Sequence, residues 1–346
     1  MSLQTRIARL LLKLPDGVLR AMSGGAPVEI GGRVLDPHFQ FLAHAAAKRP
    51  APTTAPTAED ARAQTRALVA LAGGAAEPGV SWADEPIPVD GRVIPARLYR
   101  PARARPGAVL MVYYHFGGGV VGDLETCHAF CTILCSALGA PVLSVDYRLA
   151  PEHPWPAGLQ DALDSFLWAR MNAQRLGGRP GAAAVGGDSM GGNFAAIIAL
   201  EMARLGQPQP FLQLLIYPAT DLAAAGGSMD LYAESFPLTA QTMAFFMANY
   251  LPADADTSDQ RLSPLDAADV EDLAPALVFT AGFDPLCDQG RAYADRLEGA
   301  KVNVLYRCFD SLAHGFTAFT GVVPAADAAC RQIAAETARA YAALGA

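Results

Sequence analysis

The chain has 346 residues, of which 52% are hydrophobic and 17% are charged, and its formal net charge is −8. This composition supports a large buried core and excludes a disordered or fibrous protein. The acidic balance excludes the basic surface that nucleic-acid-binding proteins carry, so we expect no nucleic acid partner. Since no apolar run reaches the ~18 residues of a membrane span, we also expect no stable membrane insertion.

Residues 1–75 are predicted to form a helical segment that differs in character from the rest of the chain. The apolar face of its first helix consists of Ile7, Leu10, Leu11, Leu14 and Val18. Closely spaced prolines then predict a loop over 49–58, because proline breaks both helices and strand ladders. A second helix is predicted from Ala58 to Ala72.

The N-terminal apolar stretch indicates the compartment, and the cysteine count bears on disulfides. Arg9 and Lys13 interrupt the stretch, which therefore lacks the apolar core of a signal peptide. Six cysteines in a chain of this length are too sparse for a disulfide scaffold. We therefore predict a cytoplasmic protein.

Three of the cysteines recur at a spacing of four residues and would form one stripe on a helix: Cys127, Cys131 and Cys135. This spacing differs from the paired CxxC pattern of zinc sites, and His128, the neighbouring candidate for a fourth ligand, would point elsewhere. We interpret the stripe as a small-residue face packed against a sheet, and we expect no bound metal.

From about Val80, short apolar runs alternate with helical stretches. The runs are 93–99, 108–114, 141–147, 182–187, 211–217, 276–282 and 302–309. Several are apolar throughout, which is typical of strands buried on both faces of a mostly parallel sheet. The helical stretches are 124–138, 159–176, 190–205, 288–299 and 325–343. The sequence therefore predicts an α/β fold in which helices flank a mostly parallel central sheet.

Residues 218–265 interrupt this alternation with a segment of helical character and no strand character. A long insertion after the carboxyl end of a strand is usually a lid or cap over a site. We therefore expect the insertion to form a cap or lid on the α/β domain, 76–346, which follows the helical segment 1–75.

The motif Gly187-Asp188-Ser189-Met190-Gly191 lies between a predicted strand and a predicted helix. This is the context of a nucleophile elbow, a strained turn that projects a serine hydroxyl above the sheet. The helix N-terminus adds a positive dipole and free amides, which stabilise an anion that develops beside the serine. We predict that Ser189 is a nucleophile.

A serine nucleophile needs a base and an acid, in the chain order Ser, acid, His for this topology. His314 is the only histidine after Ser189, and it follows the predicted strand 302–309. Asp284 follows the strand 276–282, at the carboxyl end where sites collect in such sheets. Asp288 is the competing acid, but it would lie on the next helix, as a cap or a loop anchor. We favour Asp284.

The glycine-rich segment His115-Phe116-Gly117-Gly118-Gly119 follows the strand 108–114. Consecutive glycines let the main chain turn its N–H groups toward a substrate without obstruction by side chains. We expect this segment, together with the N–H of Met190, to form an oxyanion hole.

With these motifs in place, the chain resembles the hormone-sensitive-lipase-like esterases of bacteria, within the α/β-hydrolase fold. The resemblance covers the chain from about residue 90 to the C-terminus. Besides the oxyanion segment, the elbow and Asp284-Pro285-Leu286, it rests on Gly122-Asp123-Leu124, Asp146-Tyr147-Arg148-Leu149-Ala150-Pro151-Glu152, Arg261-Leu262-Ser263-Pro264-Leu265 and His314-Gly315-Phe316. It implies a Ser189–Asp284–His314 triad, hydrolysis of carboxylic esters without a metal or organic cofactor, and frequent homodimers. It also implies that residues 1–75 form an N-terminal helical cap segment, which the insertion 218–265 of the catalytic domain, 76–346, completes.

The sequence departs from the family pattern in the oxyanion segment. The family usually has His-Gly-Gly-Gly and then an aromatic residue, whereas this chain has Phe116 in place of the first glycine and Gly119 at the aromatic position. An ungapped alignment makes Gly117 and Gly118 the donors, and a shift of one residue makes them Gly118 and Gly119. The departure affects the wall of the pocket and hence the acyl preference.

Three other functions remain open at this point. A peptidase or amidase on the same fold would share the triad and differ only in its contacts with the leaving group. An interfacial lipase would use the amphipathic N-terminal helix. A non-catalytic binding member of the fold would be expected to lack the nucleophile or the base, and this chain has both Ser189 and His314. We expect a serine carboxylesterase that acts on small esters of short to medium acyl length.

Overall fold

The computed structural model describes residues 3–48 and 56–346, so residues 49–55 of the predicted loop lie outside the described residues. Its strands are β1 Glu29–Ile30, β2 Arg33–Val34, β3 Val80–Asp84, β4 Ile87–Val89, β5 Arg92–Ile94, β6 Ala96–Pro101, β7 Leu110–Tyr114, β8 Val142–Val145, β9 Ala183–Asp188, β10 Gln213–Ile216, β11 Ala276–Phe283 and β12 Val304–Ala313. Its helices are α1 Leu3–Leu11, α2 Asp16–Met22, α3 Pro37–Ala47, α4 Ala58–Ala72, α5 His128–Leu138, α6 Ala157–Met171, α7 Met190–Arg204, α8 Ser228–Leu231, α9 Ala240–Tyr250, α10 Cys287–Gly299 and α11 Pro324–Ala343, with 3₁₀ turns at Pro264–Asp266 and Phe316–Phe319.

Eight strands form the central sheet, in the order β12-β11-β10-β9-β7-β8-β6-β3. The six strands from β12 to β8 are parallel, and β6 pairs antiparallel with both of its neighbours. β7, β8, β9, β10 and β11 are buried along their whole length, because helices cover both faces of the sheet. The predicted α/β fold is thus confirmed.

Two hydrophobic cores lie on the two faces of this sheet. One contains side chains of α5 and α11, and Leu35, Phe39 and Leu42 from the N-terminal segment extend it. The other contains side chains of α6, α7 and α10. Because β9, β11 and β12 run parallel, their carboxyl ends lie at the same edge of the sheet, between the two layers of helices.

Several predicted boundaries were wrong. The first helix ends at Leu11 and α2 begins at Asp16, because Pro15 cannot continue the hydrogen-bond ladder. Ile7 and Leu10 of the predicted apolar face are 50% and 68% exposed. The helix predicted from 124 begins at His128, because the side chain of Asp123 binds the N–H of Glu125 in a competing turn.

Two further differences concern strands and helix ends. The helix predicted over 159–176 spans Ala157–Met171 instead. The pair β1–β2 and the strands β3 and β4 were not predicted, and the single strand predicted over 93–99 is divided between β5 and β6. Their residues are mostly exposed or half-buried, so they lack the continuous apolar runs that revealed the central strands.

Candidate active site

Ser189 lies in the tight turn between β9 and α7. Its backbone has φ 55° and ψ −118°, in a region that side-chain-bearing residues rarely adopt. The turn is close enough to β7 that a Cβ atom at Gly191 would lie 1.9 Å from the carbonyl oxygen of Tyr114. Glycine at this position therefore allows the close approach, and the strained turn fixes the serine at the carboxyl end of β9.

The three residues predicted as a triad are hydrogen-bonded in series. Nε2 of His314 lies 2.9 Å from Oγ of Ser189, and Nδ1 of His314 lies 2.8 Å from Oδ2 of Asp284. The other carboxylate oxygen of Asp284 accepts a 2.8 Å hydrogen bond from the N–H of Leu286. Asp284 is fully buried, and Ser189 and His314 are only 7% and 6% exposed, so water is largely excluded from the series.

Asp288, the competing acid, lies in a different contact. Its Oδ2 accepts a 2.8 Å hydrogen bond from the N–H of Ser228, and its own N–H donates to Oγ of Ser228 at 3.0 Å. Ser228 begins α8, in the insertion 218–265. Asp288 thus fastens the insertion to α10, whereas the carboxylate of Asp284 contacts His314.

The glycines at 117–119 form a turn directly after β7. The carbonyl of Gly117 accepts from the N–H groups of Val120 and Val121, both at 3.0 Å, and the carbonyl of Gly119 accepts from Ala150 at 2.8 Å. Within the described ranges, the N–H groups of Gly117, Gly118, Gly119 and Met190 donate to no protein acceptor. In this part of the structure, all four N–H groups thus lack a protein partner, and their role as oxyanion donors, like the choice between the two glycine pairs, stays a prediction.

His115 anchors the start of this turn. Its Nδ1 lies 2.7 Å from the carbonyl oxygen of Phe116, and its ring stacks on Tyr147 with ring centres 4.3 Å apart. The hydroxyl of Tyr147 donates to the carbonyl of His115 at 2.8 Å. Burial lowers the pKa of His115 to about 4, so the ring is neutral near pH 7 and holds the turn as a structural group.

Helix α9 of the insertion covers the glycine turn. A Cβ atom at position 118 would lie 2.4 Å from Cγ of Phe246, and one at position 119 would lie 2.4 Å from Cδ2 of Tyr250. Tyr250 thus occupies the space next to Gly119, the position where the family usually has an aromatic residue. Phe246 also packs with Leu238 and Leu286, beside the loop that carries Asp284.

Arg62 of α4 binds the segments around the glycine turn and was not singled out from the sequence. Its guanidinium donates to the carbonyls of Val120 at 2.9 Å and Ala150 at 2.8 Å, and it forms two hydrogen bonds with Glu152, at 2.8 and 2.6 Å. The N-terminal segment therefore contacts the backbone that carries the predicted oxyanion donors. One arginine on an amphipathic helix gives no sequence signal for this contact.

Asp188 is a second residue whose importance the sequence did not reveal. Its carboxylate is fully buried beside the turn of Ser189 and accepts hydrogen bonds from Tyr217 and Thr317. Burial raises the pKa of Asp188 to about 6. An aspartate within the elbow motif, at the end of a fully apolar strand, was the signal that could have found it.

The predicted cysteine stripe runs along α5, from the residue before the helix to its last third, and Cys127 contacts Ser144 of the sheet. Cys127, Cys131 and Cys135 are buried, and the first two sulfurs are 3.6 Å apart. Over residues 3–48 and 56–346, no group of three or more His, Cys, Asp or Glu side chains is arranged to hold a metal ion. In the same residues, no helix is long and apolar enough to cross a membrane.

Comparisons with known proteins agree with this geometry. A family profile described as the α/β-hydrolase fold matches residues 111–318. The carboxylic ester hydrolase LipN of Mycobacterium tuberculosis is 42% identical over 88% of this chain and 82% of its own length. The ethyl acetate hydrolase of Pseudomonas putida is 38% identical over 80% of this chain and 88% of its own.

Solved structures show the same likeness. A thermostable esterase from Pseudomonas putida superimposes with a TM-score of 0.83 and 30% identity, over 92% of this chain and 98% of its own. An esterase from Pyrobaculum calidifontis superimposes with a TM-score of 0.79 and 36% identity, over 88% of this chain and 98% of its own.

Proposed function

This chain belongs to the α/β-hydrolase family, in its hormone-sensitive-lipase-like group, and is a serine carboxylesterase; on that premise we propose that it cleaves esters of short to medium acyl length through an acyl-enzyme on Ser189. The observation that carries the proposal is the hydrogen-bonded series from Ser189 through His314 to Asp284, at 2.9 and 2.8 Å. A hydroxyl bonded to an imidazole that is itself bonded to a buried carboxylate is the arrangement needed for nucleophilic catalysis.

In the first half-reaction, Oγ of Ser189 attacks the ester carbonyl carbon while Nε2 of His314 takes the hydroxyl proton. The tetrahedral intermediate collapses, His314 returns the proton to the departing alkoxide, and the acyl group stays on the serine. In the second half, water attacks the acyl carbon with His314 as the base, the bond from this carbon to Oγ breaks, and His314 returns the proton to Ser189. Asp284 holds the Nδ1–H of His314 throughout and stabilises the transient imidazolium.

The negative oxygen of both tetrahedral intermediates needs hydrogen-bond donors that are already in place. We propose the free N–H groups of Gly117, Gly118 and Met190 for this role, with Gly119 in place of Gly117 if the register is shifted by one residue. Removing one such donor from a serine hydrolase typically costs about 10²–10³ in kcat. No step in this route calls for a metal or an organic cofactor.

We propose that the cap consists of residues 1–75 and the insertion 218–265, and that it limits the acyl chain. Two observations support this: Phe246 and Tyr250 of α9 pack on the glycine turn, and Arg62 of α4 binds the backbone beside it. Aromatic rings this close to the proposed donors leave room only for a compact acyl group. The relative that is 38% identical is named an ethyl acetate hydrolase, and a name that refers to a short-chain ester supports the same limit on acyl length.

The assembly and the compartment are also proposals. The family resemblance implies frequent homodimers, and β12, as an edge strand of the central sheet, offers a surface for a second copy. Light scattering of the purified protein at several concentrations tests the homodimer. Fractionation of the native cells tests the cytoplasmic location.

The decisive experiment is a rate series over p-nitrophenyl esters from acetate to palmitate, together with p-nitroacetanilide. We expect kcat/KM to rise to an optimum between butyrate and octanoate and to fall by palmitate, with much slower cleavage of the anilide. Faster cleavage of the anilide would indicate an amidase. A steady rise through palmitate, with activation at an oil–water interface, would indicate a lipase.

The Ser189→Ala variant is the control for the chemistry. Esterase activity should fall by several orders of magnitude while the thermal unfolding temperature stays close to that of the wild type, since the acyl-enzyme route is removed. Retention of most of the activity would exclude the proposed acyl-enzyme.

A further inference from the structure

Two cysteines outside the triad lie close together just behind Asp284. The sulfurs of Cys287 and Cys308 are 4.0 Å apart. Cys287 is the first residue of α10 and directly follows the Asp284-Pro285-Leu286 motif, whereas Cys308 lies on β12. The mechanism proposed above uses neither thiol.

The surroundings of Cys287 favour its thiolate. Nη1 of Arg33, from β2, lies 3.9 Å from the Cys287 sulfur, and the N-terminus of the 13-residue helix α10 adds a positive dipole. The thiol of Cys308, which can donate a hydrogen bond to a Cys287 thiolate, and the charge of Arg33 lower the pKa of Cys287. The contact between the two sulfurs, followed by burial, has the opposite result for Cys308, whose pKa it raises. One thiol is thus set up as the nucleophile and the other as its partner.

Small oxidants can reach this pair from the side of Arg33. The Arg33 side chain is 30% exposed, and Cys308 is half-buried on the outermost strand of the sheet. Cys287 itself is only 2% exposed, which excludes bulky reagents, so the oxidant in this proposal is a molecule of the size of hydrogen peroxide.

We propose that Cys287 and Cys308 are a redox-active dithiol, which hydroperoxides convert into a disulfide that lowers esterase activity by displacing Asp284. The reaction is a two-electron oxidation of the dithiol with reduction of the peroxide. The Cys287 thiolate attacks one peroxide oxygen, so that an S–O bond forms, the O–O bond breaks, and hydroxide leaves and takes up a proton. The Cys308 sulfur then attacks the sulfenic sulfur, an S–S bond forms, and the S–O bond breaks with loss of water.

The disulfide would act on the site through the backbone of the Asp284 loop. The two sulfurs must approach from 4.0 Å to the ~2.05 Å of a disulfide, and in this proposal part of that approach is a shift of the first residue of α10 toward β12. The N–H groups of Leu286 and Cys287 donate to the carboxylate and the carbonyl of Asp284, at 2.8 and 3.1 Å. Any shift of Cys287 therefore moves the group that orients His314. This effect on activity rests on the proposed role of Asp284, whereas formation of the disulfide does not.

The chain contains its own matched control, the pair Cys127 and Cys131. Those sulfurs are 3.6 Å apart, closer than the proposed pair, but both residues are buried and burial raises the pKa of Cys131 well above its ordinary value. Proximity alone would make Cys127–Cys131 the first pair to oxidise. The proposal requires the reverse order.

The test is mass spectrometry of the folded protein after graded exposure to hydrogen peroxide. A Cys287–Cys308 disulfide links the tryptic peptides 262–291 and 308–331, and fragmentation separates Cys308 from Cys330 in the second peptide. A Cys127–Cys131 disulfide stays within one peptide, which loses only two hydrogens. We expect the cross-link at low peroxide and its disappearance with dithiothreitol. Oxidation of Cys127–Cys131 first, or no cross-link at peroxide levels that oxidise exposed methionines, would overturn the proposal.

Variants separate the roles of the three residues. Cys308→Ser should trap a sulfenic acid on Cys287, seen by mass spectrometry as a gain of one oxygen in the methionine-free peptide 262–291 that dithiothreitol reverses. Arg33→Met should slow formation of the cross-link about tenfold relative to Arg33→Lys, because the reaction rate follows the fraction of thiolate. Equal rates in the two arginine variants would exclude the proposed role of the charge.

The effect on the esterase is a separate readout. Peroxide should lower kcat of the wild type and of Cys127→Ser by about tenfold or more, since a shift of about 1 Å at a catalytic group can cost 10²-fold, and dithiothreitol should restore it. Cys287→Ser should resist. If the cross-link forms but kcat does not change, the proposed effect on activity is wrong, while the assignment of a redox-active dithiol is retained. If no ester is hydrolysed at all, the proposed function is wrong. The cross-link experiment still shows whether Cys287 and Cys308 form a redox-active dithiol.

Discussion

Thr317 donates a 2.7 Å hydrogen bond to Oδ2 of Asp188, and this contact joins the segment that carries His314 to the strand end that carries Ser189. Tyr217 donates to the same oxygen at 2.9 Å, and its ring lies 4.8 Å from that of His314. The base and the nucleophile are therefore held together by a buried carboxylate as well as by their own hydrogen bond. Asp188 acts in this arrangement as a positioning residue.

Asp188→Asn tests the cost of that buried charge. The pKa of Asp188 is about 6, compared with 3.8 for an unperturbed aspartate, so the folded protein holds the proton more tightly than the unfolded chain. Its contribution to stability is complete below pH ~4 and is lost as the pH rises through ~6, by about 3 kcal/mol for a shift of about two units. Asparagine keeps an acceptor for Thr317 and Tyr217 and does not titrate.

The measurement is the difference in free energy of unfolding between Asp188→Asn and the wild type at several pH values. We expect this difference to become more favourable to the variant between pH 4.5 and 8. The other carboxylates titrate in both proteins and cancel. A difference that is constant over this range would show that ionisation of Asp188 does not destabilise the folded protein.

Thr317→Val tests the positioning role, with Thr317→Ser as the matched variant. Valine removes the hydroxyl from a buried site at nearly constant volume, whereas serine retains the hydrogen bond to Asp188. We expect kcat to fall about tenfold in the valine variant with little change in KM, because the loss lies in the placement of His314 and not in substrate binding. Serine should restore most of kcat. Equal losses in both variants would indicate that packing of the methyl group matters more than the hydroxyl.

Asp284→Asn and Asp288→Asn compare the two candidate acids directly. In the best-studied triad, asparagine at the acid position selects the wrong tautomer of the histidine and lowers kcat by about 10⁴. We expect a loss of that order for Asp284→Asn. For Asp288→Asn, which loosens the contact with Ser228 at the start of α8, we expect a decrease in stability and only a small decrease in kcat. The assignment is wrong if kinetics show the larger loss of kcat in Asp288→Asn.

The sequence predicted the parts of the molecule whose signals are local. Several buried strands of the central sheet appear as uninterrupted apolar runs, and Ser189 and Asp284 each follow such a run. His314 follows the mixed run 302–309, and its place as the only histidine after Ser189 supplied the remaining signal. Contacts between distant segments carry no such signal. Arg62 contacts Ala150 and Glu152 across about 90 positions of sequence, and nothing in the helix around Arg62 distinguishes it from an exposed arginine.

The N-terminal helix shows why an apolar periodicity can mislead. The pattern of Ile7 and Leu10 predicts a buried face. The break at Pro15 instead divides the segment into α1 and α2, which have different orientations, and the buried side chains of this region are Leu12 and Leu19. The hydrophobic pattern shows that apolar side chains share one face of a helix. What packs against that face is decided elsewhere in the chain.

Arg62→Lys tests whether the N-terminal segment supports the oxyanion hole. Lysine keeps the charge but cannot bind Glu152 with two parallel hydrogen bonds while also reaching the carbonyls of Val120 and Ala150. We expect kcat to fall about tenfold, because the glycine turn loses its support from α4. Arg331→Lys is the matched control, since Arg331 also binds two carboxylates, those of Glu77 and Asp327, on another part of the surface. Similar kcat values for the two variants would show that Arg62 only stabilises the fold.

Phe246→Ala tests whether α9 sets the limit on acyl length. The Phe246 ring packs on Gly118 beside the proposed oxyanion donors, so removing the ring opens space where the acyl chain begins. Each methylene buried in that space contributes about 0.8 kcal/mol, or roughly fourfold in kcat/KM, until the chain meets the next wall. We therefore expect the optimum to move toward longer acyl chains and the decrease toward palmitate to become shallower.

Gln241→Ala is the matched control for Phe246→Ala, because Gln241 lies on the same helix with its side chain exposed to solvent. It should keep the chain-length profile of the wild type, which would show that any shift comes from the pocket and not from loosening of α9. The rate series over p-nitrophenyl esters is run on all three proteins. An unchanged optimum in Phe246→Ala would mean that the wall lies elsewhere in the cap, and Tyr250, which packs on Gly119, would be the next residue to truncate.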